Sequence, residues 1–313
     1  MSKLNPDGTS AAIRVGIVGD GAWGQALATL CIEAGNEVLL GYTGRKPRRK
    51  MAVTKVLAEV SAHADLILLG VMAWEVRDAV RELNLGPQHR VIFCTRGPDP
   101  DTGRWLTHLL PQISPVIRVG ILGGPVIPAE VLKGVPTAAI VASRFDDVNR
   151  MGQQALHSPK CRVYTGDDPE AIELAGAMAQ VLAVAVGVAD QMQAGAGVRG
   201  MVISRGLAEM RRLAAAVNVD PGAFGGLAGI GDLVASFSLP DHEAYKVGRD
   251  LGGPRDHTDN EAVLTAGTAL ALAKRLGVEI PLTKMVYAIA HGKIDVDTAM
   301  ASLMERSAKA GEG

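Results

Sequence analysis

The first half of the chain alternates short apolar runs with amphipathic stretches. The apolar runs are nearly continuous, as in parallel strands that are buried on both faces. These predicted strands lie at residues 13–18, 37–40, 66–71, 91–95, 116–122, 138–142 and 162–164. Helical stretches such as 24–34 and 75–83 separate several of them. This alternation predicts right-handed crossovers and a doubly wound α/β sheet.

After residue 164 the strand pattern stops and apolar positions recur at helical spacing. Helices are predicted at residues 169–189, 197–217, 261–276, 283–291 and 296–306. Thr258-Asp-Asn-Glu261 matches a capping box in front of the third of these helices. We therefore predict two domains, an α/β domain over residues 1–165 and an all-α domain over residues 166–313.

Composition and charge narrow the class of protein. Of 313 residues, 48% are hydrophobic and 21% are charged, which is typical of a globular chain of about two domains. Lys plus Arg number 32 and Asp plus Glu number 33, so the net charge of -1 argues against a nucleic-acid or anionic-membrane partner. No apolar run reaches the ~18 residues of a membrane helix. The longest candidate, residues 181–189, is typical of a buried helix.

Cysteine and histidine spacing argues against a disulfide framework and against metal chemistry. The three cysteines, Cys31, Cys94 and Cys161, form no CxxC pair. The seven histidines show neither HxxxH nor HExxH spacing. The N-terminal segment has no apolar core of the kind a signal peptide needs. Together these features predict a cytoplasmic protein without a metal site.

A glycine-rich turn, Gly19-Asp-Gly21-Ala22-Trp23-Gly24, follows the first predicted strand and opens a helix. This is the context that a Rossmann dinucleotide-binding fingerprint requires. Gly19 would make the tight turn, Gly21 would let the pyrophosphate approach, and Gly24 would let helix and strand pack closely. The alternative is a glycine turn with no ligand. The further strand–helix units behind the motif favour dinucleotide binding, with Ala22 and Trp23 as part of the cofactor site.

The end of the second predicted strand bears on the choice between NAD and NADP. An NAD site usually places Asp or Glu there to bind the ribose hydroxyls. Here no acid is present, and five of the six residues from Arg45 to Lys50 are basic. Guanidinium and ammonium groups suit a 2′-phosphate. The pattern favours NADP, held by Arg45 and Lys46, with NAD as the second option. A solvated basic loop or a localisation-type basic run is the alternative.

Longer sequence blocks over residues 13–306 resemble the bacterial NAD(P)-dependent sn-glycerol-3-phosphate dehydrogenases. The blocks are 19–28, Thr95-Arg-Gly97, Gly123-Gly-Pro125, 162–164, 204–210, 226–234 and 279–282. The resemblance implies a Rossmann domain, a helical C-terminal domain for substrate and dimerisation, and a cytoplasmic homodimer in glycerophospholipid metabolism. It also implies hydride exchange between glycerol 3-phosphate and dihydroxyacetone phosphate, with Arg96 and Gly124 near the substrate.

The chain departs from the family at its catalytic positions. The family's lysine of the TKG motif is Arg96 here, which keeps the charge with a different geometry. The family's catalytic lysine, in a GGAxKN motif, is replaced by Ala179, and the next residue is Gln180. Alanine cannot transfer a proton. Asp232 matches a family site residue, so Arg96 and Asp232 are the candidate catalytic residues. Glu261 matches a cofactor-side position.

The family's phosphate-binding Ser-Arg-Asn motif aligns with His242, Glu243 and Ala244. A glutamate where arginine holds a phosphate would repel that phosphate. Shifting the alignment by a few residues would instead offer Lys246 or Arg249 to the phosphate. The chain also looks short after residue 50, where it is predicted to run straight into a helix, and at residues 251–260.

Two functional hypotheses follow. The first is an NAD(P)-dependent oxidoreductase that transfers hydride to or from a small hydroxy or carbonyl compound, with an altered substrate. Gln180, Asp232, His242 and Glu243 are its candidate substrate contacts, together with Arg96 and Gly124. The second is a non-catalytic NADP-binding homologue with a regulatory or binding role. A common fold does not decide between them.

Overall fold

The computed structural model describes residues 11–44 and 51–305, and side chains as far as residue 302. Eight strands form one sheet in the spatial order β3-β2-β1-β4-β5-β6-β7-β8. The strands are β1 Arg14–Val18, β2 Glu37–Gly41, β3 Ala52–Thr54, β4 Leu66–Leu69, β5 Arg90–Phe93, β6 Arg118–Gly123, β7 Thr137–Ala142 and β8 Cys161–Gly166. The fold class inferred from the sequence, a Rossmann-like sheet followed by helices, is confirmed.

Six helices accompany the strands. They are α1 Ala22–Glu33, α2 Leu57–His63, α3 Val76–Leu83, α4 Leu106–Ile113, α5 Pro128–Val131 and α6 Asp146–Leu156. The prediction that the chain runs directly into a helix after residue 50 is wrong, because β3 precedes α2 and pairs with β2 in parallel. Strand β3 lies at the edge of the sheet and has only three residues, so its pattern is too short to be identified from the sequence.

One strand pair departs from the predicted parallel sheet. Strands β6 and β7 are antiparallel, with Leu122 opposite Val141. A parallel return needs a crossover that spans the sheet, usually with a full helix. The connection here contains only α5, which has four residues. The chain therefore turns back on itself, and the remaining neighbours in the sheet pair in parallel.

The core of the α/β part lies on both sides of the central strands. On one face of the sheet, Ile17, Leu68 and Ile92 lie side by side on three adjacent strands, and on the other face Ile67 lies beside Val91; all five are fully buried. Full burial of such a side chain contributes roughly 1.5–3 kcal/mol. This burial explains why the strands read as continuous apolar runs rather than alternating ones.

The second half is helical, as predicted. Its helices are α7 Pro169–Gln191, α8 Gly195–Val217, α9 Asp232–Ser238, α10 Glu243–Asp250, α11 Glu261–Leu276, α12 Pro281–Ala290 and α13 Val296–Glu305. A π-helical segment, Leu227–Gly231, leads into α9. The capping-box prediction is wrong in its residue. Asn260, not Thr258, caps α11, and its side chain accepts from the backbone N–H of Ala262 at 3.0 Å.

Helix α7 is long and apolar enough to span a bilayer by length and hydropathy alone, although no such run was expected from the sequence. All of its apolar window is buried in the fold. The bent pair formed by Pro221–Ser238 and Glu243–Asp250 passes the same test. A buried apolar helix is what the core of a helical domain requires.

The chain forms two compact units. The first comprises Met1–Arg96 and Trp105–Pro169, and the second comprises Gly97–Arg104 and Glu170–Gly313. The loop Gly97–Arg104 thus belongs to the helical unit although it follows strand β5. Within that unit, a Cβ at Gly97 would lie 2.8 Å from the Thr265 hydroxyl oxygen. No sequence pattern indicated that Gly97–Arg104 belongs to the helical unit.

Candidate functional site

The glycine turn after β1 is shaped by close backbone contacts. Gly19 has φ +131°, and a Cβ there would lie 2.5 Å from the carbonyl oxygen of Gly70. A Cβ on Gly24 would lie 1.8 Å from the carbonyl oxygen of Gly19. Both positions therefore need glycine, Gly19 for its backbone conformation and Gly24 for the close approach of α1 to the turn.

The N-terminus of α1 is open to a ligand. Gly21 is the N-cap residue, and a Cβ built on it would meet nothing within 4 Å. In the described part of the chain no side chain caps this helix. The first-turn N–H groups of a helix bind anions when no cap occupies them. The cradle formed by Gly19, Gly21 and Gly24 therefore fits the pyrophosphate of a dinucleotide.

The turn lies at the point where the strand order of the sheet reverses. From β1 the chain goes first to β2 on one side and later to β4 on the other. Ligands of open α/β sheets bind at the carboxyl ends of the strands, at such a switch point. Trp23 of α1 donates from Nε1 to the carbonyl oxygen of Cys94 at 2.7 Å. Thr95 donates from its hydroxyl to the carbonyl oxygen of Val71 at 2.7 Å, which joins the ends of β4 and β5.

Two predicted substrate residues meet at this edge. Arg96 follows β5 and is half-buried, and its Nη2 donates to the carbonyl oxygen of Gly124 at 3.4 Å. Gly124 follows β6 with φ +110°. The guanidinium is thus held beside the ends of two neighbouring strands, where a developing negative charge on a substrate oxygen could be stabilised.

Asp20, which lies inside the glycine turn, was not among the site residues predicted from the sequence. Its Oδ2 accepts a hydrogen bond from the backbone N–H of Gly44 at 2.8 Å. Two features of the sequence could have indicated it: the glycine turn contains an acid, and the residues after β2 contain none. Arg45 and Lys46, the predicted NADP residues, lie outside the described residues.

In the helical unit, the structure brings Gln180 of α7 next to Asp232 at the start of α9. The Gln180 Nε2 donates to the Asp232 Oδ2 at 3.2 Å, and Asp232 is fully buried. The preceding π-helical segment belongs to the 226–234 block, and such segments are frequent at functional sites. Ala179 is also fully buried and offers only a methyl group.

His242 lies at the N-cap of α10 and is joined to α9. Its Nε2 is 3.3 Å from the Ser236 hydroxyl, and that hydroxyl donates to the backbone oxygen of Asp232 at 2.8 Å. The predicted residues His242 and Asp232 are thus connected through Ser236. Ser236 was not predicted from the sequence, because a lone serine at the fifth residue of a seven-residue helix has no distinctive pattern.

Glu243 is exposed and is tied to the start of α11. Its Oε1 accepts from the Asn260 side-chain amide at 3.2 Å, next to the predicted cofactor residue Glu261. Glu243 also occupies the first residue of α10, where a negative charge is favoured by the helix dipole. The two alternative phosphate residues, Lys246 and Arg249, are exposed on the same helix.

A partly exposed ion pair between α8 and α7 lies in the same unit. Arg199 donates from Nε and Nη2 to the Asp190 Oδ1 at 3.0 and 2.7 Å. The Tyr245 hydroxyl donates to the Asp190 Oδ2 at 2.8 Å. Burial, and then the hydrogen bond to Asp190, raise the pKa of Tyr245 above its usual value. This phenol therefore holds its proton and is a structural group.

The described residues contain no cluster of three or more His, Cys, Asp or Glu side chains arranged to hold a metal. Cys31, Cys94 and Cys161 are free and buried. Burial raises the pKa of Cys161 to about 11 and the pKa values of the other two thiols further. Protonated buried thiols are poor nucleophiles, so these cysteines serve the core.

Comparison with known proteins gives consistent matches over both units. Residues 43–149 match the model of the NAD-dependent glycerol-3-phosphate dehydrogenase N-terminus, and residues 168–301 match that of the C-terminus. Glycerol-3-phosphate dehydrogenase [NAD(P)+] from a Synechococcus strain is 34% identical over 93% of this chain and 94% of its own. The Sinorhizobium fredii protein of the same name is 34% identical over 96% of this chain and 98% of its own.

Among solved structures, the crystal structure of glycerol-3-phosphate dehydrogenase from Coxiella burnetii is similar, with a TM-score of 0.86 and 25% identity. The match covers 94% of this chain and 99% of that one. A ketopantoate reductase from Ralstonia eutropha has a TM-score of 0.56 at 15% identity, which is a likeness of fold alone.

Proposed function

Because this chain belongs to the NAD-dependent glycerol-3-phosphate dehydrogenase family, we propose that it is a divergent oxidoreductase with an altered small-molecule substrate. It is a glycerol-3-phosphate-dehydrogenase-like NAD(P)-dependent protein. The observation that carries the altered substrate is Ala179, fully buried at the position where the family resemblance expects a lysine. No proton can be transferred from its methyl group.

The cofactor half of the proposal rests on the α/β unit, Met1–Arg96 with Trp105–Pro169. The cradle of Gly19, Gly21 and Gly24, with Ala22 and Trp23 in the first turn of α1, would hold the pyrophosphate. Bound there, the nicotinamide cofactor supplies or accepts the hydride. NADP is the preferred cofactor and NAD the second, because Arg45 and Lys46 suit a 2′-phosphate. Glu261 is assigned to the cofactor by its position alone.

The substrate half rests on polar groups within each unit. In the α/β unit, Arg96, held by Gly124, would stabilise an alkoxide as hydride arrives at a carbonyl carbon. In the helical unit, Gln180 and the buried Asp232 would orient the substrate, and Ser236 links Asp232 to His242.

The nature of the substrate follows from Glu243. By the family resemblance, Glu243 aligns with the family's phosphate-binding arginine, and its carboxylate would repel a phosphate. A substrate with a hydroxyl or a cationic group at that end fits the charge of this side chain. We therefore propose a small hydroxy or carbonyl compound without a phosphate at this position.

A second function is favoured by the same alanine. A protein that keeps the cofactor cradle but has no positioned acid would bind NADP and act as a regulatory or binding homologue. The deciding experiment follows NADPH consumption with dihydroxyacetone phosphate and with a panel of unphosphorylated ketones and aldehydes. Turnover of an unphosphorylated carbonyl compound supports the altered substrate. NADPH binding with no turnover of any compound supports the non-catalytic role.

The cellular setting is proposed from the sequence. Balanced charge and three buried thiols support a cytoplasmic protein with a small-molecule partner and no nucleic-acid or membrane partner. The helical unit is assigned to dimerisation by the family resemblance. Light scattering of the purified protein tests the homodimer, and a mass of one chain at micromolar concentration would contradict it.

A further inference from the structure

The carboxylate of Asp20 lies at the carboxyl end of β2, although Asp20 itself follows β1. Asp20 belongs to the turn after β1, yet its Oδ2 lies 2.8 Å from the backbone nitrogen of Gly44. Gly44 is three residues beyond Gly41, where β2 ends. The acid is thus brought from one strand end to the neighbouring one.

The backbone fixes this arrangement. Val18 of β1 pairs with Gly41 of β2, and the N–H of Gly19 donates to the Gly41 carbonyl oxygen at 3.2 Å. The glycine turn therefore runs alongside the end of β2. A Cβ on Gly44 would lie 2.9 Å from the Asp20 Oδ2. A glycine at residue 44 gives the carboxylate room to reach the backbone.

The place where this carboxylate lies has a known chemical use in dinucleotide folds. An acid at the end of the second strand accepts hydrogen bonds from the hydroxyls of the adenosine ribose. Its negative charge also repels the 2′-phosphate of NADP. The residues that end β2 and follow it, Leu39-Leu-Gly-Tyr-Thr-Gly44, contain no acid. Asp20 places a carboxylate at this end of β2. Within the described residues no hydrogen bond to its Oδ1 is seen, which leaves this oxygen able to accept from a ligand.

We propose that Asp20 is the cofactor-specificity residue of this chain, which binds the ribose hydroxyls of NAD(H) and weakens binding of the 2′-phosphate of NADP(H). The inference rests on the proposed function only in that a dinucleotide binds the glycine cradle. Asp20 then opposes the basic run after β2. The choice between the two cofactors is a balance of these two features.

The Asp20→Asn variant separates this role from a structural one. The asparagine side-chain oxygen still accepts from the Gly44 N–H, so the turn keeps its shape, but the negative charge is lost. Hydrogen bonds to a charged acceptor are stronger than those to a neutral one. We expect the variant to bind NADH several-fold more weakly and NADPH several-fold more tightly. The ratio of the two dissociation constants should change by about 10-fold.

The measurement is direct titration of the purified full-length chain with NADH and with NADPH, which needs no turnover. Glu37→Gln is the matched control, since Glu37 is an exposed acid at the opposite end of β2. It should leave the ratio unchanged. Asp20→Ala, which also removes the Gly44 contact, should shift the ratio in the same direction as Asp20→Asn.

Three results would overturn the inference. If Asp20→Asn leaves the ratio unchanged while the wild-type chain binds nucleotide, Asp20 is only a clamp for Gly44. If Glu37→Gln changes the ratio as much, the effect is one of overall charge. If the wild-type chain binds neither nucleotide, the proposed function fails and this inference fails with it.

Discussion

The Gln180 amide and the Asp232 carboxylate are hydrogen-bonded at 3.2 Å, and Ala179 precedes that glutamine with its methyl group fully buried. An amide donates a hydrogen bond but releases no proton near neutral pH. The Gln180 amide can therefore orient a substrate, but it cannot protonate an alkoxide. The proposed loss of a proton donor therefore concerns a single turn of α7.

We expect turnover of dihydroxyacetone phosphate to be very slow or absent. Loss of a positioned general acid costs about 10²–10⁴-fold in rate, and Glu243 adds repulsion of the phosphate. Ala179→Lys alone should restore little activity. Ala179→Lys combined with Glu243→Arg and Ala244→Asn should restore more than either set separately. Steady-state NADPH oxidation measures this, with kcat reporting the acid and KM the phosphate contact.

Ala179→Met is the matched control, because methionine has nearly the length of lysine without its charge. It should give no gain in rate. A thermal melt of each variant shows whether the enlarged side chain still packs in the buried position. A wild-type rate on dihydroxyacetone phosphate of about 1–10³ s⁻¹ would contradict the account and would point to His242 or to a water held by Asp232 as the acid.

The sequence predicted the sheet, the helical domain and the glycine cradle because these depend on local pattern. Continuous apolar runs indicate buried parallel strands, and glycine spacing at Gly19 and Gly24 follows from backbone crowding. The reversal between β6 and β7 was missed because strand direction depends on the connection rather than on the strand itself. β3 was missed because three residues carry too little periodicity.

Site contacts between distant residues could not be predicted in the same way. Asp20 with Gly44, and Glu243 with Asn260, join residues that are adjacent only in the folded chain. Asp232 is predicted as a site residue because it lies in the 226–234 block, and Ala179 is predicted through its alignment with the family's lysine; both assignments stay predictions. The hydrogen-bond partners of these residues could be identified only from the three-dimensional structure.

We expect the wild-type chain to bind NADPH more tightly than NADH. The basic run supplies the charge that a 2′-phosphate needs, and Asp20 reduces the preference without removing it. Arg45→Ala with Lys46→Ala should abolish the preference, since both cations are lost together. Fluorescence titration of reduced nucleotide measures the two affinities. Equal affinities in the unmodified chain would show that the basic run is a solvated loop.

Substitutions in the glycine turn should separate folding from binding. Gly24→Ala brings a Cβ to 1.8 Å from the Gly19 carbonyl oxygen, so the backbone must move. We expect a loss of stability of about 1–3 kcal/mol or more, measured by urea unfolding. Gly21→Val adds a larger side chain in open space and should leave stability nearly unchanged. It should nevertheless weaken both nucleotides, because it occupies pyrophosphate space. Equal destabilisation by the two variants would contradict the geometry of the turn.

Tyr245→Phe should destabilise the helical unit by about 1 kcal/mol, because Asp190 loses one donor and keeps Arg199. The raised pKa of Tyr245 gives a second readout. The stabilising bond is complete below the ordinary phenol pKa of about 10 and is lost as pH rises through the higher folded value. In an alkaline titration of phenolate absorbance, the step at highest pH should disappear in Tyr245→Phe. An unchanged final step would contradict the assignment.

Acid sensitivity of the α/β unit should depend on Asp147. This residue of α6 contacts Arg90 of β5 and Arg118 of β6, with its Oδ2 at 2.6 and 3.2 Å from their Nε atoms. Burial raises the pKa of Asp147, but the hydrogen bond and charge of Arg90, with the charge of Arg118, outweigh burial and place the pKa below its usual value. A depressed pKa means that the folded state holds the proton less tightly than the unfolded state. The resulting stability is present above the ordinary carboxyl pKa of about 4 and is lost as pH falls through the folded value.

Asp147→Asn should therefore lower the urea midpoint at neutral pH and lose less stability than the wild type between about pH 5 and about pH 3. The exposed neighbour Asp146 provides the control, since it makes no ion pair within the described part of the chain. Asp146→Asn should keep the wild-type pH dependence, because the two arginines still face a charged Asp147. If both variants follow the same curve as the wild type, the three-residue cluster contributes nothing to acid stability. If Asp147→Asn alone flattens it, the cluster joins α6 to the sheet through charge.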